Sequence, residues 1–334
     1  MALPNAARVV DVVSFMPERV VRNEPDPDPA TASKQERFFA GVRERRFASP
    51  DHTSADLGTA ALRALLDRNG MAGAELDLII CSTLLNDVFT PGIATAVQHG
   101  VGATTATTLN IDNGCCSWVS SIDAANAYLA SGRYRKVAVV TVTNFVSRLS
   151  EFQRAPESRV LGDGASATLL VADGPGTILS VHEQAFGENW GTLRVDPDVV
   201  ADGQLSYWER GSGPLTVRFG DEMLLGLWQV AMDRVPEAVE RALDKAGLGS
   251  EDVSLLITHQ PNTSFIAEWR RRCGIPDDRA HDTLAHYGNL FHSSLPVTFA
   301  DALDRGLVGA GDVVAFATFL NGGELVSAMV WRWT

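Results

Sequence analysis

A layered α/β protein made of two similar halves is predicted by three features of the sequence. A unit of helix, glycine turn and apolar strand recurs, the units return in the same order, and the glycines that close their turns align. Residues 54–83, SADLGTAALRALLDRNGMAGAELDLIICST, read as an amphipathic helix, a glycine-rich turn and a strand of the fully buried kind. Residues 235–260, VPEAVERALDKAGLGSEDVSLLITHQ, repeat that order, and Asp67 to Met71 match Asp244 to Leu248 at the offset that pairs Ile80 with Ile257. Residues 113–142, NGCCSWVSSIDAANAYLASGRYRKVAVVTV, give a glycine turn, a helix and a β-rich strand. Residues 287–318, YGNLFHSSLPVTFADALDRGLVGAGDVVAFAT, reproduce them with Gly114 opposite Gly288 and Gly132 opposite Gly306. One such match arises by chance, whereas two in order point to duplication. Repeated strand-helix-strand units imply right-handed crossovers, predominantly parallel sheets and helices on their faces, the halves meeting face to face.

The junction is expected at VADGPGTI, residues 171–178, where Gly and Pro cluster. It gives an N-terminal half over residues 1–173 and a C-terminal half over 174–334. DPDVVADGQLSYWERGSGP, residues 196–214, is polar and rich in Gly and Pro and is expected to form a surface loop. The prolines within RNEPDPDPATASKQERFF, residues 22–39, exclude a regular element before Ala30.

Composition sets limits on partners. At 334 residues with 45% hydrophobic and 21% charged content, the chain can bury a sizeable core. A formal charge of -13 argues against a nucleic-acid or anionic-membrane surface, which needs a basic patch. Cys81, Cys115, Cys116 and Cys273 show no zinc-site spacing, and two adjacent cysteines do not bridge without strain, so no metal and no disulfide are expected. The start, MALPNAARVVDVVSF, lacks the basic region and long apolar run of a signal peptide, and no apolar segment approaches a membrane span. A reducing cytoplasm is the expected location.

Chemistry concentrates at three positions. Cys115 and Cys116, in NIDNGCCSW, sit where a helix begins, and unpaired N–H groups with the positive end of the helix dipole favour a thiolate there. The alternative is two small core residues at a tight turn. His259 ends the strand SLLIT and opens the loop HQPN, where a βα unit presents side chains to a crevice; a satisfied histidine at a strand end fits equally. Asn289, in HYGN, lies opposite Cys115 in the repeat. An imidazole and an amide aimed at one point form a donor pair for a carbonyl oxygen gaining charge. His52, His99, His182 and His281 have nothing to single them out, and His286 and His292 read as packing residues beside the asparagine motif.

With these residues in place the sequence resembles the β-ketoacyl-acyl carrier protein synthase III family of the thiolase-like superfamily. The segments that carry the resemblance are GVRERRFA, NIDNGCCSW, LGDGASATLL, THQPN, HYGNLFHSSLP and NGGELVSAMVWRW, spread in order over nearly the whole chain. It implies a five-layer α-β-α-β-α fold, a homodimer, and no metal or redox cofactor. By the same resemblance Cys115 is the nucleophile and Cys116 the small residue after it. The backbone N–H groups of Cys115 and Gly323 would hold the acyl oxyanion, His259 and Asn289 the enolate, and Asn262 and Phe89 would bind substrate. The first half then carries the cysteine, the second the histidine and asparagine.

Three departures from the family pattern bear on the role. Gln35 and Phe39 stand where the family clamps coenzyme A with a tryptophan and an arginine, with Arg37 one shift away. Thr263 and Ser264 follow HQPN where a basic residue often serves the acidic carrier protein. The glycine-rich end is reduced to Gly322 and Gly323, followed by Glu324. The lead expectation is a specialised, secondary-metabolism enzyme that acylates Cys115 from a carrier-protein or coenzyme A thioester. It then condenses the acyl group with a malonyl-type thioester by decarboxylation. The alternative passes the acyl group to a hydroxyl or amine with His259 as general base. A non-catalytic, carrier-protein-binding subunit is the third reading. Acyl selection is expected to depend on LLNDVFTPGIATAVQ, residues 84–98, and on the insert around Tyr207 and Trp208.

Overall fold

The computed structural model describes residues 7–26, 28, 30–149, 156–174, 176–193, 195–197, 215–217, 221–320 and 322–334. Tyr207 and Trp208 lie outside the described residues, as does the side chain of Gln35.

Two sheets dominate. The first contains β1 (Arg8–Phe15), β4 (Leu78–Thr83), β5 (Thr107–Asn110), β6 (Lys136–Thr143) and β7 (Gly164–Val171) in the order β1-β7-β6-β4-β5. The second contains β8 (Ile178–Ala185), β11 (Leu255–Thr258), β12 (Val313–Phe319) and β13 (Leu325–Arg332) in the order β11-β12-β13-β8. Aligned through β4 and β11, the second order repeats the first, and the place of β5 is held by a single parallel bridge from Leu256 to Ala280. Small antiparallel pairs, β2 (Arg19–Arg22) with β3 (Glu44–Phe47) and β9 (Val195–Pro197) with β10 (Leu215–Val217), flank them. Residue 173 falls in the link between β7 and β8.

The sheets are mixed, not predominantly parallel as the repeats suggested. β4 runs parallel to β5 and β6, and β11 to β12, but β6-β7, β1-β7, β12-β13 and β13-β8 are antiparallel. The cause is local. Only the units with a crossover helix produce parallel neighbours. β12 returns into β13 through a tight turn closed by Leu320 N–H on Leu325 O at 2.8 Å.

The helices set the layers: α1 (Lys34–Phe38), α2 (Ser54–Arg68), α3 (Ala94–Gly100), α4 (Ser117–Ala130), α5 (Asp221–Ala246), α6 (Thr263–Arg272), α7 (Leu284–Tyr287) and α8 (Ser294–Asp304). α2 and α3 bury Leu62, Leu65 and Val97 against Ile79, Val140 and Ala167 on one face of the first sheet. Its other face packs Ile80, Val139 and Leu170 on α4 and α8, which also meet Ile257, Phe316 and Trp331 of the second sheet. α5 and α6 cover the far side of that sheet through Val235, Val239, Phe265 and Trp269. The result is five layers, with α4 and α8 in the middle. The aromatic rings of Trp118, Phe316, Phe299 and Trp331 lie 4.7 to 5.4 Å apart there. Each such pair contributes about 1 kcal/mol beyond its area. Trp118 Nε1 donates to Thr168 Oγ1 at 3.0 Å, satisfying the one polar atom this cluster adds from α4.

Local signals in the sequence fix the helix ends. Thr53 Oγ1 accepts the Asp56 N–H at 3.0 Å and the Asp56 carboxylate accepts the Thr53 N–H at 2.9 Å, a reciprocal cap of α2. Gly70 and Gly247 leave α2 and α5 at φ of +62° and +68°. The next residues close the same bond, Met71 N–H to Leu66 O at 2.9 Å and Leu248 N–H to Leu243 O at 3.0 Å. Gly132 and Gly306, aligned after α4 and α8, are at +72° and +68°. Among the described residues no helix is long and apolar enough to cross a membrane.

Candidate active site

Both central helices start at the same place. Before α4, Asp112 Oδ1 accepts the Gly114 N–H at 3.1 Å and Ser117 Oγ accepts the Asn113 N–H at 2.8 Å. Gly114, at φ +50°, turns the chain into a single 3-10 turn, Gly114–Cys116, that runs on into α4. Cys115 therefore lies in the first helical turn. The carbonyl of Cys115 accepts from Thr318 Oγ1 of β12 at 3.3 Å, tying the turn to the second sheet.

The two adjacent thiols have different surroundings. Cys116 is fully buried with Sγ 3.7 Å from Leu325 O, and burial first of all pushes its thiol well above the ordinary range. It stays protonated and inert. Cys115, 4% exposed, lines a cavity.

Asn289 is placed by a turn that only glycine can make. Gly288 sits at φ +71°, and a Cβ there would lie 2.6 Å from Val160 O. Asn289 Oδ1 accepts the Phe291 N–H at 2.9 Å and the Ser294 hydroxyl at 3.2 Å. The Nδ2 end of the amide is thus the one left for a ligand. Although Asn289 aligns with Cys115 in the repeat, it precedes its helical turn, Phe291–Ser293, by two residues.

His259 follows β11 and is anchored by its N–H on Ala317 O at 2.8 Å. The ring is buried edge-on to Phe319, centroids 5.6 Å apart, and its Nδ1 has no hydrogen-bond partner. Burial, then the proximity of His292, pushes its pKa down to about 3. A neutral imidazole is therefore present at physiological pH, with one N–H to donate.

Cys115, His259 and Asn289 line one cavity of about 60 Å³. Phe38, Phe39, Phe265, Phe291 and Phe319 supply most of its wall, with Leu161 and Leu193 between them. The free space is small beside a long acyl chain, and it is walled mainly by side chains.

Of the other expected residues, Asn262, Phe89 and Gly323 are not in the lining of this cavity. Asn262 caps α6, its Oδ1 accepting the Phe265 N–H at 3.0 Å, while Nδ2 is buried without a partner. Phe89 is 81% exposed and away from this cavity. The Gly323 N–H donates to Leu320 O at 2.6 Å, and the Gly323 carbonyl accepts from Asn189 Nδ2 at 3.0 Å and Arg234 Nη1 at 3.4 Å. Glu324 Oε2 accepts the Gly322 N–H at 2.8 Å, so this carboxylate braces the turn. Thr263 packs on the loop after α1, where a Cβ on Gly41 would meet its Cγ2 at 2.2 Å. Phe39 is 4% exposed on the cavity wall, whereas Arg37 is exposed.

Three residues to which sequence reasoning assigned no role in the chemistry shape the site. Arg45, buried, donates from Nη1 to Ser158 O at 2.5 Å and Leu161 O at 3.2 Å, holding the segment against which Asn289 pairs. Phe291 adopts φ +42°, alone among the described non-glycine residues in this region, and carries its ring into the cavity. His292 lies directly behind it. A wider groove along α5, lined by Asp233, Glu237, Glu240 and Asp244, contains Cys273, whose thiol burial pushes up to about 12, so it offers no nucleophile. No group of three His, Cys, Asp or Glu among the described residues is placed to hold a metal ion.

A five-layer fold whose two central helices begin at one cavity is thiolase-like, and the class it defines is the condensing acyltransferases. The family profile for 3-oxoacyl-[acyl-carrier-protein] synthase III matches residues 109–187, and that for the C-terminal part of the same enzymes matches 243–333. The chain is 31% identical over 334 residues to the β-ketoacyl-[acyl-carrier-protein] synthase III of Rhodobacter capsulatus, covering 98% of this chain and 99% of that one. It belongs to the 3-oxoacyl-[acyl-carrier-protein] synthase III family. Among solved structures it is similar to the priming β-ketosynthase of the R1128 polyketide pathway, with 28% identity, a TM-score of 0.84, and coverage of 100% and 98%. The synthase III of Thermus thermophilus gives 26%, 0.83, and 98% and 99%.

Proposed function

We propose that this chain acylates itself on Cys115 from a thioester and condenses that acyl group with a malonyl-type thioester by decarboxylation. The observation that carries the reading is the single cavity shared by Cys115, His259 and Asn289. In the first stage the Cys115 thiolate attacks the acyl carbonyl and the donor thiol leaves. The N–H groups of Cys115 and Gly323 are the proposed oxyanion donors, the latter needing its bond to Leu320 O to open or be shared. In the second stage the bond to the malonyl carboxylate breaks and carbon dioxide leaves. The electron pair passes to the thioester oxygen, held by a His259 N–H and Asn289 Nδ2. The carbanion then attacks the acyl carbonyl and Cys115 is released as thiolate.

The state of His259 favours this reading over simple acyl transfer. A ring whose pKa is down at about 3 is a poor base toward a hydroxyl or amine but a good neutral donor to an enolate oxygen. Phe39 in the cavity wall gives the phosphates of coenzyme A no cation, which favours a carrier-protein donor. Its pantetheine arm would pass Asn262, whose buried Nδ2 lacks a partner. Similarity to a polyketide priming synthase supports a specialised pathway. Val88 and Phe89, 57% and 81% exposed side by side, support a homodimer, and the need of the reaction for a free Cys115 thiol supports a reducing, cytoplasmic location. Intact-protein mass after incubation with acyl thioesters, followed by product analysis with and without a malonyl thioester, tests the reading. A mass gain without a carbon-carbon product would reduce it to acyl transfer.

A further inference from the structure

Two turns meet at the site, one carrying Cys115 and the other Asn289. Asp112 stands three residues before the first and His292 three residues after the second, and His292 Nε2 lies 3.6 Å from Asp112 Oδ1. The His292 side chain is wholly enclosed, yet neither ring nitrogen has a hydrogen-bond partner. Leaving both unmatched in the interior is costly, so the ring is retained there against its solvation. The residues around it are tied: Leu290 O accepts from Thr143 Oγ1, and the Ser293 hydroxyl from Thr141 Oγ1 at 3.0 Å. Phe291, the residue before His292, adopts a strained φ of +42°. Asp112, mostly exposed, is held below the usual carboxylate range by His292 first and by the Gly114 N–H as well. His259 is the titratable group that interacts with His292 besides Asp112, while Thr141 and Thr143, bonded to its chain neighbours, bring no charge.

We propose that Asp112 and His292 are a positioning pair that locks the nucleophile turn to the asparagine turn. A shortening of a few tenths of an ångström converts their contact into a charge-assisted hydrogen bond across the two halves of the site. This rests on Cys115 and Asn289 acting together, so the test reads a reaction that needs no natural substrate. It measures the rate at which iodoacetamide alkylates Cys115 at pH 7, mapped by peptide mass in the full chain. Asp112→Asn and His292→Leu should each change that rate at least threefold, the double variant should change it no more than the larger single one, and His292→Gln should stay within twofold of the parent. Multiplying effects in the double variant, no effect of Asp112→Asn, or equal losses from Leu and Gln would overturn the pair. If His292→Leu does not fold, the exposed Asp112 decides alone, since Asp112→Asn must shift the rate and Asp112→Glu must restore it. A parent that alkylates at Cys115 but releases no carbon dioxide from a malonyl thioester would sink the condensing reading and leave this measurement intact.

Discussion

The backbone N–H of Asn289 donates to the carbonyl of Val160 across 2.6 Å, so the amide of the site is held by a segment far away in the chain. That segment is in turn gripped by Arg45 through the carbonyls of Ser158 and Leu161, with the guanidinium 4.9 Å from the Phe47 ring. Arg45→Met removes the donors and leaves two carbonyls short of partners. The expected cost is about 2–4 kcal/mol in denaturant unfolding. Carbon dioxide release should fall more than loading of Cys115. Equal losses in both would show that Arg45 serves the fold alone.

The contrast between the adjacent thiols makes a second prediction. Cys115→Ala should abolish the acyl adduct, and Cys116→Ala should leave it, because the Cys116 thiol is kept protonated in the core. Peptide mass mapping checks this, and an adduct on Cys116 would reverse the assignment.

Acid should unfold this protein partly through His259. Its folded pKa, about 3, lies below the ordinary 6.5, so the unfolded chain binds the extra proton between these values. Stability is whole above pH 6.5 and falls toward pH 3, at roughly 1.4 kcal/mol per pH unit from this group. His259→Gln should flatten the dependence of unfolding free energy on pH by about one proton across that window. An unchanged slope would mean that the ring is solvated in the native protein.

Carrier-protein thioesters should load Cys115 faster than coenzyme A thioesters of the same acyl group. A stacking and an ionic contact are absent if Gln35 and Phe39 stand in for the tryptophan and arginine of the clamp, each worth on the order of 1 kcal/mol, so the difference should be roughly tenfold or more. Equal rates would refute this, and Arg37→Ala would then show whether the exposed Arg37 had taken over the phosphates.

The sequence was most legible where a residue type has one geometric use. The paired glycines at 70 and 247, and at 132 and 306, align because each leaves a helix in the left-handed region. Strand direction was not legible. A wholly buried run such as GASATLLV in β7 looks the same whichever way it pairs, and its antiparallel pairing with β1 and β6 leaves no mark in its own residue pattern. The roles of Arg45 and His292 were hidden for another reason. An interior arginine is defined by the carbonyls it reaches and an interior histidine by the partners it lacks, and neither is written near the residue itself. Their neighbours, Ser158 and Asp112, come from distant parts of the chain.

The reacting groups and the walls around them belong to different parts of the architecture. Cys115 and Asn289 stand just before α4 and α8, the middle-layer helices that pack against both sheets. Phe38, Phe39 and Leu193 reach the cavity from peripheral segments. Evolution can therefore redraw what the cavity admits by changing its outer rings at small cost in folding, while the chemistry drifts only when the centre of the molecule is rebuilt.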